Sequence, residues 1–311
     1  MASTPMDDSR LAAFRRTIIE LYGETGRVWL DRLPLLLDAL AESWSLTVLP
    51  PFPNLTYNYV APAIRADGEL AVLKVGVPNA ELTTEIAALR CFDGRGCARL
   101  VAADEAHGAL LIERLLPGTP LRDLEPNDRT ILISAEIMQQ LWRPVPDAHP
   151  FPTTATWGEG FVRMRRAFDG GSGPFPTALT DAAERLYAEL DAASATPVVL
   201  HGDLHQENVL AAQRAPWLAI DPKGVVGEPA YEVGALLRNP PPWRTQSELV
   251  RIMARRVDLL SEALGFERER IAGWGLAQAI LSAWWSYEDH GYGWGEAIAC
   301  AEALHMAVDS R

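Results

Sequence analysis

The sequence predicts an α+β chain: a small β-rich lobe holding one helix, then a larger, mostly helical lobe, the whole preceded by a helical extension. Three observations predict it. Apolar runs bounded by turn residues recur between residues 57 and 113. One amphipathic helical stretch, 78–92, interrupts them. From about residue 118 helical periodicity takes over, broken by Pro- and Gly-rich loops. The expected boundaries are 1–49 for the extension, 50–117 for the small lobe and 118–311 for the large one.

In the extension, Leu11, Phe14, Ile18 and Leu21 recur at helical spacing, as do Leu30, Leu33, Leu37 and Leu40 after Gly26. "LPPFPN" (49–54) ends it, because consecutive prolines cannot continue a helix. Tyr57 to Ile64 and Leu70 to Gly76 read as strands around an Asp67-Gly68 turn, a hairpin. "PNAELTTEIAALRCF" follows as a helix with Leu82, Ile86 and Leu89 on one face and Asn79 as its cap. Strands over 98–103 and 109–113 enclose a polar turn, and "LLPGTP" (115–120) breaks the pattern, with a short hinge joining the lobes near "LIERLLPG" (111–118). Beyond it, helices are expected near 127–142, 157–168, 179–194, 245–264, 269–288 and 296–308. Loops such as "GGSGPFP" (170–176) and "NPPPW" (239–243) separate them.

The 311 residues carry a net charge of −13, with a sequence pI near 5.0. Such an acidic chain is a poor match for nucleic-acid backbones and better suited to a cationic small molecule. Its 3 cysteines (Cys91, Cys97, Cys300) form no CxxC pair, which argues for reduced thiols and against a zinc site. The N-terminus lacks a basic segment followed by an apolar one, and no apolar run approaches the ~20 residues of a membrane helix. A cytoplasmic protein with no membrane, nucleic-acid or protein partner is the expectation.

The chemistry concentrates in "LHGDLHQENVL" (200–210), where two histidines, two acids and an asparagine sit between apolar residues. Val209 to Ala212 reads as a strand, "QRAP" as a turn, and Trp217 to Ile220 as a second strand ending at Asp221. Pairing residue 209 with residue 220 brings Asn208 and Asp221 together at the open end, with Asp203 at the head of the same loop. An amide oxygen and a carboxylate suit Mg²⁺, which leaves its other positions to water and phosphate. Asp203 is then free to orient, or take a proton from, an attacking hydroxyl. An Asp, an Asn five positions later and a second Asp on a hairpin match the phosphoryl-transfer template. His201 and His205 have i,i+4 spacing, but Gly202 and the loop context argue against a metal pair.

"HGDLHQEN" followed by "WLAIDPKG" resembles the aminoglycoside phosphotransferases, which share a two-lobed protein-kinase-like fold. The wider stretch "LHGDLHQEN…PWLAIDPKGVVGE" resembles the branch containing streptomycin 6-kinases and hydroxyurea phosphotransferases, and the likeness runs from about residue 50 onward. The resemblance implies ATP or GTP as donor, with Mg²⁺. It implies that Lys74 in "ELAVLKVG" holds the α- and β-phosphates, with a helix carboxylate as partner, here Glu85, with Glu81 one turn earlier as the competitor. It implies that main-chain groups of Glu113 to Leu115 hold the purine edge, that His201 packs the catalytic loop and that Glu232 braces it. Lys223 faces either the phosphates or solvent.

Departures from the protein-kinase pattern are informative. No glycine-rich loop is present; "PNLTYNYVAP" stands there, leaving Thr56, Tyr57 and Asn58 to cover the triphosphate. Gly202 replaces the arginine that reads activation-loop phosphorylation, and no Ala-Pro-Glu segment follows Asp221, which favours a small-molecule acceptor. "LSAWWSYEDHGYGWGEA" (281–297) offers Trp285, Glu288 and Asp289 to a cationic acceptor of the streptomycin type; the alternative is that its tryptophans are core and its acids solvated. Rival functions are a kinase of hydroxyurea or another hydroxylated metabolite, and an inactive nucleotide-binding protein.

Overall fold

The computed structural model describes residues 8–125, 128–193, 196–240 and 242–309. Position 127 at the head of one expected helix, position 194 at the foot of another, Pro241 of the "NPPPW" loop and the N-terminal "MASTPMD" lie outside the described residues. The chain forms two compact units: residues up to Gly94 with Ala98–Leu116, and Arg95–Cys97 with the chain from Pro117 onward. Among the described residues no helix is long and apolar enough to cross a membrane.

The first unit contains α1 (Asp8–Ser43), β1 (Leu46–Val48), β2 (Tyr59–Arg65), β3 (Leu70–Val75), α2 (Ala80–Phe92), β4 (Leu100–Asp104) and β5 (Ala109–Glu113). Its antiparallel sheet has the order β1-β2-β3-β5-β4. The hairpin turns at Asp67-Gly68, where Gly68 N donates to Arg65 O (2.9 Å) and Gly68 takes a φ of 85°. Asn79 caps α2 by accepting from Leu82 N (2.9 Å).

Two features depart from expectation. The helical extension is shorter, because Leu46–Val48 adds an edge strand; three residues are too few for alternation to register. The helix break falls at Gly23 (φ 56°, ψ −128°), whereas Gly26 is helical and packs so closely that a Cβ there would lie 2.5 Å from Ile18 O. Phe14, Ile18, Trp29, Leu30, Leu33 and Leu40 share one core with Tyr59, Ala61, Leu73 and Val75 of the sheet. Leu21, expected on the apolar face, is 43% exposed.

The second unit holds α3 (Asp128–Leu141), β6 (Arg143–Pro144), α4 (Thr154–Ala167), α5 (Thr177–Ala192), β7 (Val198–Leu200), β8 (Val209–Ala211), β9 (Trp217–Ala219) and β10 (Val225–Gly227). It continues with α6 (Val233–Leu237), α7 (Gln246–Leu264), α8 (Arg268–His290) and α9 (Gly295–Asp309). Every expected helix is present; α6 and the small sheet β10-β7-β6 were not anticipated, being segments of 2 to 5 residues. Helix α8 is apolar nearly all round and buried from Ile271 to Leu281, so it forms the axis of the unit.

Hairpin β8–β9 corrects the expected register by one residue. Val209 pairs with Ala219, not with Ile220; Ile220 N instead donates to Asn208 O (2.9 Å). The ladder thus runs one rung further than its assigned strands, with Asn208 opposite Ile220 and Asp221 the next residue along.

Candidate active site

The segment from His201 to Asn208 leaves β7 and enters β8, and buried groups fix it from beneath. Glu232, 1% exposed, accepts from the amides of His201 (2.7 Å) and Gly202 (2.8 Å), one on each carboxyl oxygen. Burial raises its pKa to about 7, against the pull of those two amides. His201 is fully buried, and burial lowers its pKa to about 4, so the ring is neutral at pH 7. Its Nε2 donates to Ile220 O (2.8 Å) and its Nδ1 accepts from Asp203 N (3.2 Å). With both ring nitrogens committed to the backbone, His201 fastens the loop to the end of β9 and is unavailable to a metal. His201 O in turn accepts from Lys223 N (2.8 Å) and Gly224 N (3.1 Å).

Gly202 adopts a φ of +84°, and a Cβ there would meet Trp157 Cη2 at 2.9 Å and Val225 Cγ1 at 3.1 Å. An arginine has no room at this position, because the Trp157 ring occupies it.

The loop therefore presents Asp203 and Asn208 on a rigid base. Asp203 Oδ1 accepts from Arg238 Nη2 at 2.6 Å, while Oδ2 lies 3.8 Å from His205 Nε2. Asn208 Nδ2 donates to Asp203 O (3.0 Å), which leaves Oδ1 as the acceptor end of that amide. Asp221 sits at the mouth of the hairpin with a φ of 58°, a left-handed turn that aspartate tolerates. Among the described residues no group of three or more His, Cys, Asp or Glu could hold a metal. A carbonyl-type oxygen and one carboxylate fit a hard cation that fills its remaining positions with water and phosphate.

In the first unit, Lys74 Nζ lies 2.8 Å from both carboxyl oxygens of Glu85. The two side chains are 9% and 6% exposed, a buried and doubly bonded ion pair. Lys74 pairs with Leu110 across β5 and with Val60 across β2, so it stands on a central strand. Glu85 is thus the partner of Lys74, and Glu81, one turn earlier, is exposed. Glu113 N donates to Arg99 O (2.9 Å), so the sheet already uses that amide; Leu115 follows, buried. Asn58 packs against Gly76, where a Cβ would lie 2.1 Å from its Oδ1, whereas Thr56 and Tyr57 are exposed.

Comparison with known proteins places this arrangement. Residues 53–290 match the aminoglycoside/hydroxyurea antibiotic resistance kinases. The streptomycin 6-kinase of Streptomyces glaucescens is 33% identical over 278 residues, covering 86% of this chain and 87% of that one. The chain belongs to the aminoglycoside/hydroxyurea antibiotic resistance kinase family. The hydroxyurea phosphotransferase of Kitasatospora aureofaciens is 35% identical over 279 residues, 86% of this chain and 77% of that one. Among solved structures, amicoumacin kinase hAmiN in complex with AMP-PNP, Ca²⁺ and Ami has a TM-score of 0.58, covering 92% of this chain and 96% of that one. At 14% identity that likeness is one of fold, and the fold is the two-lobed kinase type expected.

In this kinase the residues expected to bind acceptor, Trp285, Glu288 and Asp289, lie in the last turns of α8. Glu288 is engaged by Arg163 through Nε (2.8 Å) and Nη2 (3.1 Å), so its charge is already balanced. Asp289 is exposed at the end of α8. Trp284 is 3% exposed and stacks with Tyr287, which also packs on Phe168, Phe175 and Trp294: these rings form a core. Trp285 differs, being half-buried and edge-on to Trp157, the ring that covers Gly202.

A cavity of about 520 Å³ does adjoin the catalytic loop, lined by His205, Glu207, Arg238, Trp243, Arg256 and Glu296 among others. Sequence reasoning singled out none of Arg238, Trp243, Arg256 and Glu296. Arg238 stands just past the end of α6, and its partner Asp203 lies 35 positions earlier in the chain, beyond the reach of any local pattern.

Proposed function

We propose that this kinase transfers the γ-phosphoryl group of ATP or GTP to a hydroxyl of a streptomycin-type aminoglycoside. The observation that carries the reading is the state of Asp203. One carboxyl oxygen is anchored by Arg238 and the other lies 3.8 Å from His205 Nε2; both of those neighbours line a drug-sized cavity, and the carboxylate stands on a loop held rigid by Glu232 and His201.

In this reading Asp203 accepts the proton of the acceptor hydroxyl as its oxygen bonds to phosphorus and the bond to the nucleoside diphosphate breaks. Lys74, oriented by Glu85, steadies the donor phosphates, while main-chain groups at Glu113 to Leu115 hold the base, Leu115 N being the donor once Glu113 N is spent on the sheet. Asn208 Oδ1 and the Asp221 carboxylate would hold Mg²⁺, which supplies charge neutralisation on the phosphates when bound. Trp243 and Glu296, in the cavity wall, are the groups suited to a guanidinium-bearing acceptor; Trp285 contributes through Trp157, and the Glu288 charge is spent on Arg163.

Hydroxyurea is the second reading, favoured by the 35% identity to a hydroxyurea phosphotransferase. The cavity of about 520 Å³ far exceeds so small a molecule and supports the larger acceptor. Steady-state nucleotide turnover separates the two: streptomycin is expected to stimulate hydrolysis-corrected turnover strongly and hydroxyurea weakly. Stimulation by hydroxyurea alone would reverse the assignment, and stimulation by neither across a broad panel would favour an inactive nucleotide-binding protein.

A further inference from the structure

We propose that Arg238 is a positioning residue for phosphoryl transfer: it holds Oδ1 of Asp203 so that Oδ2 faces the incoming hydroxyl. This rests on the reading of Asp203 as proton acceptor.

The contact is built rather than incidental. Arg238 ends α6, and its side chain is 14% exposed against 24% for Asp203. Helix α8 supports the guanidinium: Gln278, 2% exposed, accepts from Arg238 Nη1 (3.3 Å) and donates to Tyr231 O. That approach requires a glycine at 234, since a Cβ there would lie 2.1 Å from Gln278 Cδ. Helix α7 fixes the backbone on either side, because Arg256 Nη1 donates to Leu236 O (2.6 Å) and Asn239 O (3.1 Å). Burial pulls the Arg256 pKa to about 10, so this brace stays charged at neutral pH. Three helices thus converge to place one guanidinium against one carboxyl oxygen.

The consequence is geometric. A carboxylate with one oxygen held by a charge-assisted bond loses its freedom to rotate, and the remaining oxygen is presented in a fixed direction. A proton leaving the acceptor then meets Oδ2. Since Arg238 also lines the cavity beside the loop, removing its side chain leaves a guanidinium-sized space open to solutes.

The test compares Arg238→Ala, Arg238→Lys and Asp203→Asn, with kcat, both KM values and thermal melting measured for each. Arg238→Ala is expected to lower kcat about 10–100-fold while the nucleotide KM stays within about 2-fold. Arg238→Lys should recover part of the loss, and free guanidinium at non-denaturing concentration should restore turnover to Arg238→Ala. If Arg238→Ala does not fold, Arg238→Gln takes its place in the same comparison. A folded variant with wild-type kcat, or a loss that neither lysine nor guanidinium relieves, would overturn the inference. Asp203→Asn keeps the two claims apart. Wild-type turnover in that variant removes the proton-acceptor reading itself, whereas an inactive Asp203→Asn beside an unimpaired Arg238→Ala removes only the role of Arg238.

Discussion

Two ion pairs, one in each unit, are built in opposite ways. Lys74 and Glu85 are both buried, and Nζ contacts both carboxyl oxygens, so each charge is satisfied by the other. Asp203 and Arg238 are partly exposed, Arg238 lines a cavity, and the contact between them uses one oxygen of the carboxylate. The first pair is closed and the second is left half open. Burial makes a closed pair expensive to break from one side, because the remaining charge stays in low dielectric. A half-open pair has more of its charge in water, so its loss weighs more on turnover than on stability.

The largest expected effect tests the open pair. Asp203→Asn should lower kcat by about 10²–10⁴-fold, with nucleotide affinity and melting temperature nearly unchanged, in steady-state kinetics and calorimetry. Lys74→Met breaks the closed pair and should behave differently. It leaves Glu85 buried without its partner and is expected to cost about 3–5 kcal/mol of stability in denaturant titration, along with weaker nucleotide binding.

A third prediction concerns the groups under the catalytic loop. Glu232 has a folded pKa raised to about 7, so its contribution is fully present below the unfolded value and is lost as pH rises through about 7. His201 has a folded pKa lowered to about 4; its contribution is present above the unfolded value near 6.5 and is lost as pH falls through about 4. Between those limits the two slopes oppose each other. Glu232→Gln removes one of them and should therefore show a steeper loss of stability from pH 6.5 to 4 than the wild type in urea titrations. An unchanged slope would mean that Glu232 is already ionised when folded.

The smallest effect belongs to an exposed pair. Glu288→Ala should cost about 0.2–1 kcal/mol and leave the acceptor KM unaltered, since Arg163 already occupies that carboxylate. A large rise in acceptor KM would return Glu288 to the acceptor site.

The sequence was most legible where function requires contiguous residues. Asp203 and Asn208 lie on one loop, joined through the Asn208 amide, and Asp221 directly follows the residue paired with Asn208, so local spacing alone placed the three on neighbouring segments despite a register error of one residue. The preference for Glu85 over Glu81 as the partner of Lys74 agrees with the structure, where the bond between Glu85 and Lys74 fixes the rotation of α2. The strands β6, β7 and β10 escaped notice because segments of 2 or 3 residues carry no period. Arg238 and Arg163 were illegible for another reason. Each acquires its meaning from a carboxylate far away in the chain, one on the loop between β7 and β8 and one on α8, and no local pattern records such a pairing.

The most direct measurement is mass spectrometry of streptomycin incubated with the purified protein, Mg²⁺ and either ATP or GTP, with Asp203→Asn in parallel. The account predicts a product heavier by one phosphoryl group with the wild type and none with the variant. An equal yield of phosphorylated product from Asp203→Asn would contradict it.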